Sequence, residues 1–242
     1  MKFTNVFVVL SVMSALVLSG CASLLPSEEA ATKIAETTTE SLTPLQMQVK
    51  DLQARPNLYK TQVSGHKPTT QALNQFQNAL LLKQQGKFTQ ARDRFMALSE
   101  QHPKLSGIWV QLALLAKEQD SDTLEQQAKN KTKYLNNAIS VNPLNYLAHN
   151  ELALVFREQG QFKQALSHYE LALKSWPAFA QGYLNRGILY DLYMGKKSLA
   201  LADYELYQGL SNDDSRQLKG WIIDLQRQIK AAEQTTQTGA ML

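Results

Sequence analysis

Residues 146–177 read YLAHNELALVFREQGQFKQALSHYELALKSWP, and this stretch determines the fold. Its small, aromatic and turn-forming residues stand at offsets that suit two packed helices. They are Leu152, Ala153, Phe156, Gly160, Ala165, Tyr169, Ala172 and Pro177. The alanines allow two antiparallel helices to approach closely, the glycine lets the chain turn and the proline ends the second helix. The stretch therefore predicts a helix–turn–helix unit.

Copies of this unit flank it on both sides. The first ends at Pro103 and the next at Pro143, 40 residues later, whereas Pro177 follows after 34. About six residues are therefore inserted in the second unit, either around residues 120–122 or by a longer second helix. A fourth unit has one extra residue after Tyr190 and lacks the final proline.

Together these units resemble the tetratricopeptide repeat (TPR), a 34-residue helix–turn–helix motif. His149 stands where this repeat has a Trp in its first helix. The resemblance covers residues 69–210. It implies an all-α fold, a TPR superhelix of about four repeats.

An amphipathic segment follows at residues 211–233. Its apolar residues lie on one helical stripe, with basic residues elsewhere. They are Leu218, Trp221, Ile222, Leu225 and Ile229. Since a repeat stack leaves its last helix pair uncovered on one side, we predict a C-terminal capping helix. A partner-binding or membrane-surface helix is the alternative, and residues 234–242 are predicted to form a disordered tail.

Residues 1–20 have the order of a secretory signal peptide, with Lys2 first, then a short apolar core and small residues before Cys21. The ending LSGC resembles the lipobox of bacterial lipoproteins, which implies a lipid (palmitate) on Cys21, the one cysteine of the chain. An uncleaved membrane anchor is the alternative, but the apolar core has about 13 residues and a spanning helix needs ~20.

The residues after the cysteine bear on localisation. In Gram-negative lipoproteins an Asp at this place often retains the protein in the inner membrane, whereas Ala22 and Ser23 stand here. The resemblance therefore implies a lipid anchor in the outer membrane, facing the periplasm, with the inner membrane as the alternative.

Residues 21–68 are predicted to be the lipidated N-terminus and a flexible tether. The part before residue 43 is rich in Ser, Thr, Ala and Glu, and spans at most ~70 Å when extended. A short helix is predicted to follow, with Thr43 as its N-cap and Leu45, Val49 and Leu52 on one face. Whether this helix packs on the repeats is left open.

Charge and motifs exclude several kinds of function. The formal net charge of +4 is too small for a dedicated nucleic-acid binder. The four histidines lack metal-ligand spacing, and neither a nucleophile elbow nor a phosphate-binding glycine loop occurs. We therefore expect no enzyme activity, no metal, no cofactor and no small-molecule substrate.

The TPR resemblance also implies a binding groove, lined by one face of each first helix at positions 2, 5, 9 and 12. Position 9 forms an apolar row of Leu80, Leu114, Leu154 and Ile188. Position 12 contributes Lys83, Lys117, Arg157 and Asp191, and position 5 contributes Phe76, Val110, Asn150 and Leu184. The alternatives are that the apolar row packs between repeats and that the cations are merely solvated.

Two kinds of function fit these observations. The first is a periplasmic scaffold that binds a partner protein of the cell envelope. It resembles TPR lipoproteins that assemble type IV pili or, alternatively, adaptors for a protease or peptidoglycan hydrolase. The second is a subunit that itself contacts glycan or lipid through the tyrosines of the fourth repeat. We favour the first, because Tyr190, Tyr204 and Tyr207 stand at regular packing positions.

Overall fold

The computed structural model describes residues 41–61, 67–116 and 123–239. These residues contain eleven α-helices, numbered in chain order. They are α1 (Pro44–Ala54), α2 (Leu58–Thr61), α3 (Thr70–Gln84), α4 (Phe88–Gln101), α5 (Ser106–Leu115), α6 (Leu124–Val141), α7 (Tyr146–Glu158), α8 (Phe162–Ser175), α9 (Ala180–Ile188), α10 (Lys197–Ser211) and α11 (Arg216–Gly239). The predicted lipidation site Cys21, the tether before residue 41, and Lys117 lie outside the described residues.

Four successive helix pairs form the array, and the all-α prediction is confirmed. The pairs are α3 with α4, α5 with α6, α7 with α8, and α9 with α10. At the first and third crossings two fully buried alanines let the helices approach. They are Ala79 and Ala91, and Ala153 and Ala165. Gly86 and Gly160 turn the chain with φ of +73° and +72°, a conformation that favours glycine.

The core runs along the array as a series of clusters between neighbouring helices. One lies between the first and second pairs and includes Phe95 and Leu112. Another surrounds Leu135 and Leu152, and a third surrounds Tyr169 and Leu189. Such a core is expected when each unit buries its apolar face only against its neighbours.

The extra residues of the second unit lengthen its second helix. Helix α6 has 18 residues, whereas α4 and α8 have 14 each. All three helices end two residues before a proline, so α6 is longer at its N-terminal end. Of the two predicted positions for the insertion, the helix therefore takes four residues, and residues 117–122 lie outside the described part.

The extra residue of the fourth unit forms a π-helical turn, Leu189–Tyr193, directly after α9. The Lys196 amide donates to the Tyr190 carbonyl as the chain leaves this turn. A π-turn absorbs one residue without breaking the helix. It leaves Leu192 and Tyr193 exposed at the end of the fourth pair.

Helix α11 caps the last pair, as predicted. Leu218, Ile222 and Leu225 are buried against the fourth pair, and the Trp221 ring packs beside Tyr204. The helix continues to Gly239. The predicted disordered tail is therefore wrong for residues 234–239.

The N-terminal helix α1 packs on the array. Its N-cap is Thr43, whose side chain accepts from the Gln46 amide, and Val49 and Leu52 are buried. Val49 lies so close to Gly209 of α10 that a Cβ at Gly209 would be 2.6 Å from Val49 Cγ2. The described part of the chain thus begins against the last repeat and then runs back toward the first.

The short helix α2 continues this path. The Tyr59 hydroxyl lies 3.1 Å from Ser106 Oγ, at the start of α5, and its ring packs edge-on against Tyr146 at the start of α7. Ser106 Oγ also accepts from the fully buried Asn145 amide. The segment from α1 to α2 therefore lies along the edge where first helices begin. Across the described ranges, none of the helices is long and apolar enough to span a membrane.

Candidate partner-binding surface

The first-helix face is the surface formed by one side of α3, α5, α7 and α9. Its ninth-position row consists of Leu80, Leu114, Leu154 and Ile188, and all four side chains are half-buried. Each packs partly against a different core cluster. These side chains therefore pack partly between repeats and keep part of their surface exposed.

Two of the three cations at position 12 lie in the described part of the chain, and both make defined contacts. Lys83 Nζ donates to Gln111 Oε1 at 2.9 Å, which joins α3 to α5. The Arg157 guanidinium lies over the Tyr193 ring, 5.9 Å from its centroid, and its Nη1 is buried without a hydrogen-bond partner in the described residues. These side chains are thus held in place rather than extended into solvent.

The fourth residue at position 12 is acidic and lies at the end of the row. Asp191, in the π-turn, accepts from the Tyr204 hydroxyl at 3.4 Å. Burial raises the pKa of Tyr204, and the nearby Asp191 carboxylate raises it further. The Tyr204 hydroxyl therefore stays protonated and remains a donor to Asp191.

Position 5 departs from the prediction at two residues. Val110 is 1% exposed within the core between α5 and α7, and Asn150 is 3% exposed, accepting from Asn185 Nδ2 at 2.9 Å. Neither side chain offers surface to a partner. Phe76 and Leu184 are half-buried, and Phe76 packs edge-on against Phe95.

Two residues of this face were not singled out in the sequence. Leu73 and Leu147 stand at position 2, one turn before position 5, and are 47% and 38% exposed. The same spacing could have identified them. Leu73 and Phe76 also line a pocket of about 290 Å³, which Tyr59 of α2 helps to enclose. No repeat pattern indicates Tyr59, because it lies outside the repeats.

A second repeated feature explains why His149 replaces Trp. Trp109 Nε1 donates to the Pro103 carbonyl at 2.9 Å, and Tyr183 donates to the Pro177 carbonyl at 3.0 Å. His149 Nε2 lies 2.9 Å from the Pro143 carbonyl, in the same relationship. In the second, third and fourth units, this side chain ties a first helix to the end of the preceding segment. His149 therefore has a structural contact rather than a free imidazole.

A buried ion pair joins the two helices of the last unit. Arg186 donates from Nε and Nη2 to the two carboxylate oxygens of Asp203, each at 2.8 Å. Burial raises the pKa of the Asp203 carboxyl, and the two hydrogen bonds from Arg186 oppose this change. The arrangement satisfies both charges internally and leaves neither available for acid–base chemistry.

The described residues contain no group of three or more metal-ligating side chains. What they offer is a partly apolar surface of repeated helices, with fixed cations beside it. Stacked helix pairs of this kind define an α-helical repeat protein.

The sequence match concerns the second half of the array. The tetratricopeptide repeat family matches residues 133–180 and 150–215, about a third of the chain. This part of the chain is therefore similar to tetratricopeptide repeats, and the four helix pairs are arranged in the same way along the described residues. A search of curated protein sequences finds no match to this chain.

Solved structures of similar fold are distant in sequence. PilF of Pseudomonas aeruginosa has a TM-score of 0.56 at 18% identity, over 66% of this chain and 69% of that one. A thermophilic TPR protein of Thermus thermophilus has a TM-score of 0.52 at 20% identity, over 62% and 79%. A TPR protein of Parabacteroides merdae has a TM-score of 0.51 at 15% identity, over 68% and 62%. These likenesses concern the fold.

Proposed function

We propose that this protein is a lipid-anchored periplasmic scaffold that binds a segment of a partner protein on its first-helix face. TPR arrays serve protein–protein interaction, and one observation supports this face in particular. Five leucine side chains along it are exposed or half-buried. They are Leu73, Leu80, Leu114, Leu147 and Leu154.

A bound segment would remove this apolar surface from water. Burial contributes roughly 25 cal/mol per Å² of apolar area, so a few side chains account for much of the affinity. The pocket beside Leu73 and Phe76 has room for one apolar side chain of the partner. We therefore expect the partner segment to present apolar side chains at intervals, with one of them in this pocket.

Arg157 adds a preference for acidic partners. Its guanidinium is oriented by the Tyr193 ring, and Nη1 has no hydrogen-bond partner among the described residues. A carboxylate of the partner beside the guanidinium would pair with its charge at little entropic cost, because the side chain is already held in place. The partner segment is therefore expected to place an acidic residue near Arg157.

The envelope setting rests on the N-terminal sequence. The ending LSGC before Ala22 supports an acyl chain on Cys21 and an anchor in the outer membrane. Among envelope scaffolds we favour assembly of a machine such as a type IV pilus, and PilF has a similar fold. An adaptor for a periplasmic protease or peptidoglycan hydrolase is the alternative.

Photo-crosslinking in cells tests the surface and the setting together. A photoreactive amino acid at Leu147 should crosslink to a specific envelope protein, because this side chain lies on the first-helix face. The matched control is Leu171 on α8, which is exposed to the same degree, 39% against 38%. Equal crosslinking from both positions would contradict the proposed surface. Mass spectrometry of the captured protein distinguishes a pilus component from a protease or hydrolase.

A further inference from the structure

The outward side of α11 carries a strip of basic side chains. Successive residues of a helix are about 100° apart, so residues 216, 219, 223, 227 and 230 fall within roughly 80° of arc. They are Arg216, Lys219, Ile223, Arg227 and Lys230, and all are exposed. Asp224 and Glu233, the acidic residues of α11, lie outside this arc. We call these five residues the basic strip.

Packing fixes the direction of the basic strip. The opposite side of α11 is buried on the fourth pair through Leu218, Ile222 and Leu225. The helix therefore cannot turn the strip inward without losing its core. From Arg216 to Lys230 the strip is about 21 Å long.

The charges of the strip are mostly uncompensated. Lys219 Nζ lies 3.0 Å from Asp214, and both side chains are well exposed, so this pair contributes little. Arg216, Arg227 and Lys230 have no ion pair with any other residue in the described part of the chain. The face thus presents positive charge to whatever lies beyond α11.

The path of the chain bears on what lies beyond α11. Helix α1 packs on the C-terminal end of α10 through Val49 and Gly209, and residues 212–215 then lead directly into α11. Helices α1 and α11 therefore pack on the same helix, α10. Only 21 residues stand between Cys21 and Thr43, the N-cap of α1. A lipid on Cys21 would thus keep a membrane surface near this end of the array.

We propose that the basic strip contacts an anionic lipid surface, so that α11 orients the array on the membrane. The strip lies on the exposed side of one helix, and none of its residues lines the trough between α10 and α11. An apolar side chain, Ile223, stands among cations, as in helices that lie at a lipid interface. Each basic residue near an anionic surface increases binding about fivefold. The chemistry is independent of the anchor, and only the nearness of the membrane rests on the proposed lipidation.

A solvatochromic dye near the strip tests this contact in residues 21–242, the chain without its predicted signal peptide. A Cβ at Gly220 would meet nothing within 4 Å, so Gly220→Cys places one thiol beside the strip without disturbing the fold. Cys21→Ser removes the other thiol and any dependence on lipidation. The labelled chain is added to vesicles of phosphatidylcholine alone or with about one third phosphatidylglycerol. The control dye position is Gln164→Cys on α8, which is exposed and far along the chain from α11.

The expected result is a blue shift of the dye at residue 220 on the anionic vesicles only, reversed by 0.5 M salt because exposed charges are screened. Arg227→Gln with Lys230→Gln should weaken this contact about 25-fold. The matched charge control, Lys163→Gln with Lys174→Gln, should leave it unchanged. Equal shifts on both vesicle types, or no effect of the α11 variant, would overturn the proposal. A shift caused by soluble polyglutamate but not by anionic vesicles would instead identify an acidic protein partner.

Discussion

His149 and His168 face each other across the third helix pair, with their Nδ1 atoms 3.0 Å apart. The Pro143 carbonyl accepts only, so Nε2 of His149 carries a proton and its Nδ1 is free to accept. Nδ1 of His168 is therefore the donor between the two rings. Both hydrogen bonds of His149 form when the two rings are neutral. If His149 were also protonated at Nδ1, two N–H groups would face each other.

This pair predicts a pH dependence of stability. Burial lowers the pKa of His149, and burial together with the nearby His149 lowers the pKa of His168 to about 4. The unfolded chain, with a histidine pKa near 6.5, then binds more protons than the folded chain between about pH 6.5 and pH 4. Stability should therefore fall as the pH is lowered through this window.

Urea unfolding at pH 7, 5.5 and 4.5 measures this effect. Carboxylates also titrate near the lower end, so the comparison is with His149→Trp combined with His168→Leu. Trp at residue 149 can donate to the Pro143 carbonyl as Trp109 does to Pro103. The double variant should lose less stability between pH 7 and 4.5 than the wild type. Equal losses would show that the pair does not control this dependence.

The contact between Val49 and Gly209 predicts a matched pair of glycine substitutions. Gly209→Ala should destabilise the protein by about 1–3 kcal/mol, because its Cβ would overlap Val49 in a packed interface. Gly220→Ala meets open space and should stabilise α11 by up to about 1 kcal/mol. Thermal unfolding measures both changes. Val49→Ala added to Gly209→Ala should restore part of the loss, and absence of this rescue would contradict the close contact of α1 with α10.

The array was predictable because its determinants are local. Ala153 and Ala165 are small at regular offsets, and a helix pair is the only arrangement in which such spacing brings them together. The extra residue after Tyr190 was also visible, although the spacing could not show that a π-turn would absorb it. Helix periodicity reports a face, but not what covers that face. The periodicity therefore predicts that Val110 and Asn150 line a groove, whereas neighbouring residues bury both side chains.

Contacts between distant parts of the chain are not visible as a pattern in the sequence. The face of α1 around Val49 is apolar, but nothing in its own residues indicates the glycine of α10 on which it packs. Tyr59 likewise belongs to a loop-like stretch, and its contact with Ser106 depends on the path of the whole segment. These contacts require the assembled array, because Val49 and Tyr59 lie outside the repeats whereas their partners lie within them.

The accessible leucines predict where partner binding is lost. Leu73→Asp with Leu147→Asp should lower partner capture at least tenfold while the melting temperature stays close to that of the wild type, because both side chains are already exposed. Leu171→Asp on α8 is the control and should leave capture unchanged. Capture of the crosslinked envelope protein by the purified variants measures the effect, and undiminished capture by the Leu73 and Leu147 variant would exclude this surface.

The ninth-position row should behave differently. Leu114→Asp with Leu154→Asp should abolish capture but also lower stability, because each side chain packs partly on a core cluster. Arg157→Glu should weaken capture in a salt-dependent manner, since the partner carboxylate would then face a like charge. If the Arg157 variant binds as the wild type does at low salt, no acidic residue of the partner lies beside it.

The anchor predicts the behaviour of Cys21 variants in a Gram-negative host. Because the cysteine thiol is the proposed site of acylation, Cys21→Ser should abolish fatty-acid labelling and leave the precursor uncut at residue 20. Ala22→Asp is the informative counterpart, because it keeps the thiol and should preserve labelling while shifting the protein toward the inner membrane. Radiolabelled palmitate and membrane fractionation measure the two properties separately. Labelling that persists in Cys21→Ser would exclude acylation at this residue. If the Ala22→Asp protein remains in the outer membrane, residue 22 does not determine the sorting.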